Sequence, residues 1–418
     1  MITLVEAVNF RCLRNVRQPL DRFHVLVGPN ASGKTTFLDV VAFLGKLVSD
    51  GVESAVRERA SNPSDLVWRR KGDRFELAIE ARIPEKIRHQ LANDKHDTIR
   101  YEVAIRTEPE LAIAAETVLL KASVAEPLRQ IELFPSEPVS RSSLLSPRGQ
   151  RGVRTIINKV DGGNDNFYSE TYRDAGKGWA ISIKLGVAKS AFGNLPADES
   201  NFPAATWLRE LLTNGVQQFV LNSLAIRRAS PPGQRRGFKT DGSNLPWVIH
   251  ELEQSEDGRE RLSEWVNHLA TALPDLEGIR TIERPDDKHR YLMLRYRNGV
   301  EIPSWLASDG TLRMLALTLP AYLPNFDGVY LIEEPENGIH PRAVEAVFQS
   351  LSSVYDAQIL VASHSPVVLS LVERDDVLCF AKTDEGATCI VRGSEHPALR
   401  NWQGETNLGM LFAAGVLS

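Results

Sequence analysis

Gly28-Pro29-Asn30-Ala31-Ser32-Gly33-Lys34-Thr35 is the stretch on which the fold of this chain turns. It fits the pattern G-x-x-x-x-G-K-[ST], and both flanks fit as well. Phe23, Val25, Leu26 and Val27 make an apolar run just before it. Thr36, Phe37, Leu38, Val40, Val41, Phe43 and Leu44 follow at helical spacing, which predicts a helix over about 34–47. Strand, glycine loop and helix in that order form an anion cradle. Gly28 and Gly33 let backbone N–H groups curl around a phosphate with no Cβ in the way. The helix then directs its positive N-terminus at the same anion. In this pattern Lys34 reaches the β/γ-phosphates of a nucleotide, and the Thr35 hydroxyl ligates Mg²⁺. The expected nucleotide-binding segment runs from Gly28 through Pro29, Asn30, Ala31, Ser32 and Gly33 to Thr36, and the cofactors it implies are ATP and Mg²⁺.

Length and composition narrow the classes. The 418 residues are 25% charged and 42% hydrophobic, an ordinary globular balance for two or three structural units. The net charge of −5 gives no global basic footprint, so nucleic-acid contact would need a local patch. Cys12, Cys379 and Cys389 are too scattered for a disulfide framework or a zinc site, and read as thiols of a reducing cytoplasm. The N-terminus lacks the pattern of a signal peptide, and no run of 18 apolar residues occurs, so a cytoplasmic protein without a membrane span is expected.

Along the chain, alternation predicts strands at 74–83, 101–105 and 111–120. Residues 126–154, rich in Ser, Pro and Arg, read as a loop. Asp161-Gly162-Gly163-Asn164 predicts a hairpin, with Tyr168, Trp179, Ile181 and Ile183 in strand nearby. Residues 204–273 read as mostly helical, broken at Pro231-Pro232-Gly233, and from Met293 strands and helices alternate. The expected division is 1–125, carrying the phosphate loop and an antiparallel β subdomain; 126–290, a β/helical insertion with a helical lobe from about 200; and 291–418, carrying the remaining motifs. No heptad pattern is sustained, so the insertion is compact rather than coiled coil.

Three further segments carry chemistry. Val329 to Ile332 is an apolar strand that ends in Glu333 and Glu334, followed by Pro335-Glu336-Asn337-Gly338-Ile339-His340-Pro341. Ligands of open α/β sheets gather at such an edge. Glu333 would hold Mg²⁺, mostly through water, and Glu334 would orient and deprotonate an attacking water. Solvated glutamates at a strand end are the plainer reading. Ile359-Leu360-Val361-Ala362-Ser363-His364 delivers a histidine to the same kind of edge, where neutral imidazole could donate to a γ-phosphate. A histidine satisfied within the fold is the alternative. Ala307-Ser308-Asp309-Gly310-Thr311 opens an apolar helix and offers Ser308 and Gly310 to an anion; taken alone, it is equally a plain N-cap.

In this order the four segments resemble the ATP-binding-cassette ATPases, and within them the SMC, RecF and OLD branch, the AAA family ATPases of bacterial genomes. The matching stretches are "NFRCLRNV…HVLVGPNASGKTTFLDVVAFL", "DGSNLPWVIHEL", "LASDGTLRMLALTLP", "LIEEPENGIHP" and "ASHSPVVL". The resemblance is good over 1–80 and 225–375 and poor over 85–200. It implies an α/β fold: an ABC-ATPase-type mixed sheet with an antiparallel β subdomain and a compact helical insertion.

The resemblance also implies a homodimer or higher homo-oligomer that sandwiches two ATP molecules, each between the phosphate loop of one subunit and Ser308 to Gly310 of the other. Glu334 is then the general base of ATP hydrolysis, with Lys34 on the phosphates, and His364 is the switch histidine. Asn337 lies in the loop facing the opposite subunit, and Phe10, Arg11 and Arg14 form a turn near the nucleotide. Two departures stand out. Glu333 replaces the usual Asp, and no glutamine marks the metal-contacting loop, Gln90 being the candidate. Small stand-alone members of the branch regulate a separately encoded effector, such as a nuclease, in anti-phage defence or DNA maintenance and repair. The other function classes are a transporter's nucleotide-binding subunit and a non-hydrolysing clamp. Against the first stand the Ala-Ser-Asp-Gly-Thr signature and the missing glutamine loop, and against the second stands Glu334. Some OLD-type relatives carry a Toprim nuclease; Asp375-Asp376 and Asp384-Glu385 stand in a tail too short for that domain, so the chain is not expected to be a nuclease itself. Arg227, Arg228, Arg235, Arg236 and Lys239 around the Pro-Pro-Gly loop could touch a nucleic-acid backbone weakly, though charge runs are more often solvated faces, and Arg148, Arg151 and Arg154 form a lesser cluster.

Overall fold

The structure, a computed structural model, describes residues 1–122, 142–147, 149, 151–172, 180–234, 237–324 and 326–396. Arg148, Trp179, Arg235 and Arg236 lie outside the described residues. The chain forms two compact units. The first comprises Met1–Asp21, Asn30–Val216 and Phe380–Ile390; the second comprises Arg22–Pro29, Gln217–Cys379 and the chain from Val391 on.

The first unit opens with β1 (Ile2–Phe10) and β2 (Leu13–Pro19). The chain then runs through β3 (Phe23–Val27), which belongs to the second unit, and returns in helices α1 (Lys34–Asp50) and α2 (Val52–Arg57). There follow β4 (Arg74–Arg82), α3 (Glu85–Arg88), β5 (Thr98–Arg106), β6 (Ala112–Lys121), β7 (Val153–Val160), β8 (Asp165–Tyr168) and β9 (Ala180–Ile183). All the strands but β3 form one antiparallel sheet, in the order β2-β1-β4-β5-β6-β7-β8-β9. The alternation at 74–83 sets one apolar face: Phe75, Leu77, Ile79 and Ala81 are fully buried. Against it α1 packs Phe43, which meets the rings of Phe10 and Phe75 at centroid distances of 5.7 Å. Such tilted aromatic contacts add to the burial of the rings themselves.

The opposite face of this sheet is charged and still covered. Glu6, Glu76, Glu102 and Arg100 are buried there, with Arg100 Nη1 2.9 Å from Glu80. Part of the stretch read as loop lies across them: Leu144 N and Ser143 Oγ donate to Glu76 at 2.6 and 2.8 Å, and Ser146 N donates to Glu102 at 2.8 Å. Asp161 to Asn164 makes the expected hairpin between β7 and β8. Helix α4 (Pro203–Glu210) is capped from a distance, since Glu170 accepts from the N–H groups of Ala204 and Ala205 at 2.6 and 2.8 Å.

A second sheet has the order β10-β14-β15-β3-β16-β17. From Val216 on, the elements are β10 (Val216–Phe219), α5 (Ser223–Arg227), α6 (Leu245–Glu253), α7 (Glu256–Ala272), β11 (Leu276–Glu283), β12 (Arg290–Tyr296), β13 (Glu301–Pro303), α8 (Asp309–Thr318), β14 (Gly328–Glu333), α9 (Pro341–Ser352), β15 (Ala357–Ala362), α10 (Pro366–Leu369), β16 (Val377–Lys382) and β17 (Thr388–Arg392), of which Val216 and Phe380–Ile390 belong to the first unit and the rest to the second. β14, β15, β3 and β16 run parallel, as their nearly continuous apolar sequences require. β11, β12 and β13 form a separate antiparallel sheet. Trp265 of α7 is fully buried and donates through Nε1 to Thr318 Oγ1 of α8 at 2.8 Å, which joins the helical layer.

The fold class is the one expected: α/β, with a mixed sheet, an antiparallel β lobe and a compact helical part. The reading of 204–273 as mostly helical needs one correction. Val216–Phe219, Val-Gln-Gln-Phe, is a strand at the sheet edge, too short and too polar to show a period of two.

Candidate functional site

The phosphate loop leaves the fully buried strand β3 and enters α1, and within it the chain passes from the second unit to the first. Gly28, Ala31 and Gly33 have φ of 147°, 62° and 104°. At Gly33 only glycine fits. A Cβ there would lie 2.2 Å from Thr388 Oγ1 and 3.1 Å from Cys12 Sγ. Thr388 braces the loop, donating from Oγ1 to Ser32 O at 2.9 Å and from N to Cys12 O at 2.9 Å. The Ser32 hydroxyl is buried with no hydrogen-bond partner, Lys34 is half-buried and Thr35 is exposed. Helix α1 starts with no side-chain cap and no acid in its first turn. An orphaned buried hydroxyl and an uncapped helix start beside a glycine cradle suit a bound phosphate.

The turn between β1 and β2 lies in the first unit with Asn30 to Thr36. Phe10 is fully buried among Phe43 and Phe75, so it packs the core. Arg11 takes a left-handed φ of 51°, and its N–H donates to Leu66 O at 2.8 Å. Its guanidinium is steered by Asp39, one helical turn beyond Thr35, with Nη1 3.3 Å from Oδ2. Arg59 grips the other oxygen of Asp39 through Nε at 2.7 Å. Arg14 is ion-paired with Glu385. Gln90 follows α3, where its amide donates to Lys86 O at 3.2 Å.

The acidic residues lie in the second unit. Glu333 of β14 is in register with Ala362 of β15, which is in register with Leu26 of β3. Three parallel strands therefore end together, and Gly28, Glu334 and His364 leave the same edge. Glu334 sits at φ 46° and its N–H donates to Ala362 O at 2.8 Å. A left-handed glutamate is strained, and it turns the side chain out of the strand's alternation. His364 Nδ1 is 3.1 Å from Glu334 Oε1, and Asn337 Nδ2 donates to Oε2. Both carboxylate oxygens are thus held while the group stays 44% exposed, open to water. With Nδ1–H facing Glu334, His364 Nε2 can donate to a phosphate only as imidazolium. Ser363 Oγ donates to Glu336 Oε1 at 2.5 Å, tying the turn after β14 to the end of β15. Gln218 Nε2 donates to Glu333 Oε1 at 3.3 Å. Sequence reasoning missed Gln218 because it missed its strand, β10.

Ser308 and Gly310 stand at the start of α8. Ser308 Oγ accepts from Thr311 N at 3.2 Å, so the N-cap reading of this serine holds. A Cβ on Gly310 would lie 2.6 Å from Gly338 O, so the helix start rests directly on the turn after Glu334. Of the basic loop, Arg227 faces Asp309 and the Trp305 carbonyl, Lys239 is bonded to Gln234, and Arg228 is exposed.

A protein-family model described as "AAA domain, putative AbiEii toxin, Type IV TA system" matches residues 23–370. The chain belongs to this family. Among solved structures it is similar to an SMC head bound to the C-terminal winged-helix domain of ScpA, with a TM-score of 0.52, 14% identity, and 93% of this chain and 96% of that one covered. A second is an SMC head with an extended coiled coil, bound to the C-terminal domain of ScpA derived from Pyrococcus furiosus: TM-score 0.51, 13% identity, 93% and 95% covered. At that identity the likeness is one of fold. Family and likeness together make this an AAA-domain protein with a fold similar to that of SMC heads. Among the described residues no helix is long and apolar enough to cross a membrane.

Proposed function

We propose that the protein binds ATP with Mg²⁺ and hydrolyses it to ADP and phosphate. The observation that carries this is Glu334, held by His364 and Asn337 at the edge from which the phosphate loop departs. Lys34 neutralises phosphate charge, and Thr35 and Glu333 hold the metal, with Gln218 orienting Glu333. Bound Mg²⁺ would offset the charge of the β- and γ-phosphates. Glu334 takes the proton of the attacking water, and His364 senses the γ-phosphate. The backbone of residues 28–36 wraps the phosphates, and Arg11 and Arg14 lie toward the nucleotide.

The active form is a homodimer with ATP between the phosphate loop of one subunit and Ser308 to Gly310 of the other. Its cycle regulates a separately encoded effector in the bacterial cytoplasm, in anti-phage defence or DNA maintenance. The toxin–antitoxin wording of the family description and the ScpA-bound SMC heads support a partner-controlling role.

Nucleotide binding and phosphate release, measured separately, test the enzyme. Lys34→Ala should abolish binding, and Glu334→Gln should bind ATP normally and turn over at least about 100-fold more slowly, because a base acts only on the water. Normal turnover by Glu334→Gln removes it from that role. Plasmid DNA incubated with the wild-type protein, Mg²⁺ and ATP should remain intact; cleavage that persists in Glu334→Gln would show a nuclease within the chain.

A further inference from the structure

The signature segment carries a carboxylate where an incoming phosphate would meet it. Asp309 stands between Ser308 and Gly310, the two residues offered to the anion. An acid in the first turn suits helix α8 by itself, since it answers the positive end of the helix. The same acid repels a triphosphate.

Arg227 answers that charge. Its Nε and Nη2 both donate to Asp309 Oδ1, at 3.1 and 2.6 Å, and Nη1 donates to Trp305 O at 3.2 Å. In return Ser304 Oγ donates to Arg227 O at 3.0 Å. One guanidinium therefore straps α5 to the turn from Ser304 to Asp309. The Arg227 side chain is 27% exposed and Asp309 63%, so the arginine lies under its partner rather than reaching out to solvent. Three of its donors are used inside the unit, which is not how a residue waiting for a nucleic-acid backbone is arranged.

The clamp has a second consequence. Gly310 rests on Gly338 O with no room for a methyl group. Gly338 follows Asn337, whose amide holds Glu334. A shift at the start of α8 therefore reaches the turn that positions the carboxylate.

We propose that Arg227 is a positioning residue of the signature segment: by clamping Asp309 it clears negative charge from the path of a phosphate approaching Ser308 and Gly310, and it fixes the start of α8. This rests on the ATP-sandwich reading above. Lysine cannot replace it, because an ammonium lacks the fork that spans Asp309 and the Trp305 carbonyl.

The test uses the full chain with Arg227→Ala, Arg227→Lys, and Arg227→Ala combined with Asp309→Asn. ATP affinity, phosphate release and ATP-dependent mass by light scattering are read on each, the last in the Glu334→Gln background. Arg227→Ala should keep its ATP dissociation constant within about threefold, since the phosphate loop is intact, and should lose about 10- to 100-fold in turnover along with ATP-dependent association. Arg227→Lys should recover only part of this. Asp309→Asn should restore the Arg227→Ala protein to within about fivefold of wild type, a rescue that loss of packing alone would not give. Turnover and association unchanged in Arg227→Ala overturn the proposal, and so does a double variant no better than the single one. Arg227→Ala that instead weakens binding to a DNA duplex while associating normally assigns the residue to nucleic acid. A wild-type protein that binds no ATP overturns the ATPase reading and this proposal with it, so the two failures are distinct.

Discussion

Gly33 shows how strictly chemistry binds a single residue here. Its φ of 104° is left-handed backbone, and the space a Cβ would take is filled by Thr388 Oγ1 at 2.2 Å. Backbone strain alone costs about 1–3 kcal/mol at such a position. In the proposed ATP site the same backbone wraps the phosphates, so relieving the clash must distort the loop. We therefore expect Gly33→Ala to lower ATP affinity at least about tenfold and to lower the unfolding midpoint as well. Isothermal calorimetry with ATP and thermal melts check this, and an alanine variant with wild-type affinity would show that the loop tolerates the methyl group. Residues of this kind are legible in a sequence because the chemistry demands a residue type at a fixed spacing. Lys34, Thr35, Glu333, Glu334 and His364 stand as candidates for that reason, each following an apolar strand or glycine loop. Arg227 shows the limit. It was visible as part of a basic run, but its partner Asp309 is distant in sequence, and only the fold pairs them. Phe10 is a similar case: its neighbourhood was legible, its burial was not.

Among the elements, strands with strict alternation and the helix after the phosphate loop were legible from the chain, because one buried face imposes a period. β10 was not, since four residues with two glutamines carry no period. The capping of α4 was hidden for another reason: its acceptor, Glu170, comes from outside the helix. Burial pushes the Glu170 carboxyl up to about 7 from an ordinary 4.5, against the two backbone N–H donors and Arg154, which lower it. The sign follows from linkage. A carboxyl raised on folding contributes its stability in full below about 4.5 and loses it as pH rises through about 7. Glu170→Gln keeps one acceptor oxygen for the helix and cannot ionise. Between pH 5 and pH 8 the wild-type protein should therefore lose on the order of 2–3 kcal/mol more stability than Glu170→Gln. Urea titrations of both proteins at the two pH values measure the difference, and parallel losses would show that Glu170 is not the titrating group.

For the whole molecule, the question is whether ATP changes the number of chains in the particle. One chain supplies the phosphate loop and Glu334, and it also supplies Ser308 with its helix start. In the proposed sandwich these two sets serve different nucleotides, so a single chain leaves each γ-phosphate without a second helix end to meet its charge. Association then gains its free energy from ATP itself, and a protein that binds but does not hydrolyse should hold the associated form. We expect Glu334→Gln to double in mass by light scattering on addition of ATP and Mg²⁺, and ADP to have no such effect. Ser308→Arg in that background should bind ATP within about threefold of its parent, because the phosphate loop is untouched, yet stay at the lower mass, because the long side chain fills the approach to the helix end. If Glu334→Gln keeps one mass with and without ATP, and Ser308→Arg keeps the same mass, an ATP-gated interface is excluded; a mass of two chains under every condition would instead show a constitutive dimer, in which ATP acts on conformation rather than on assembly.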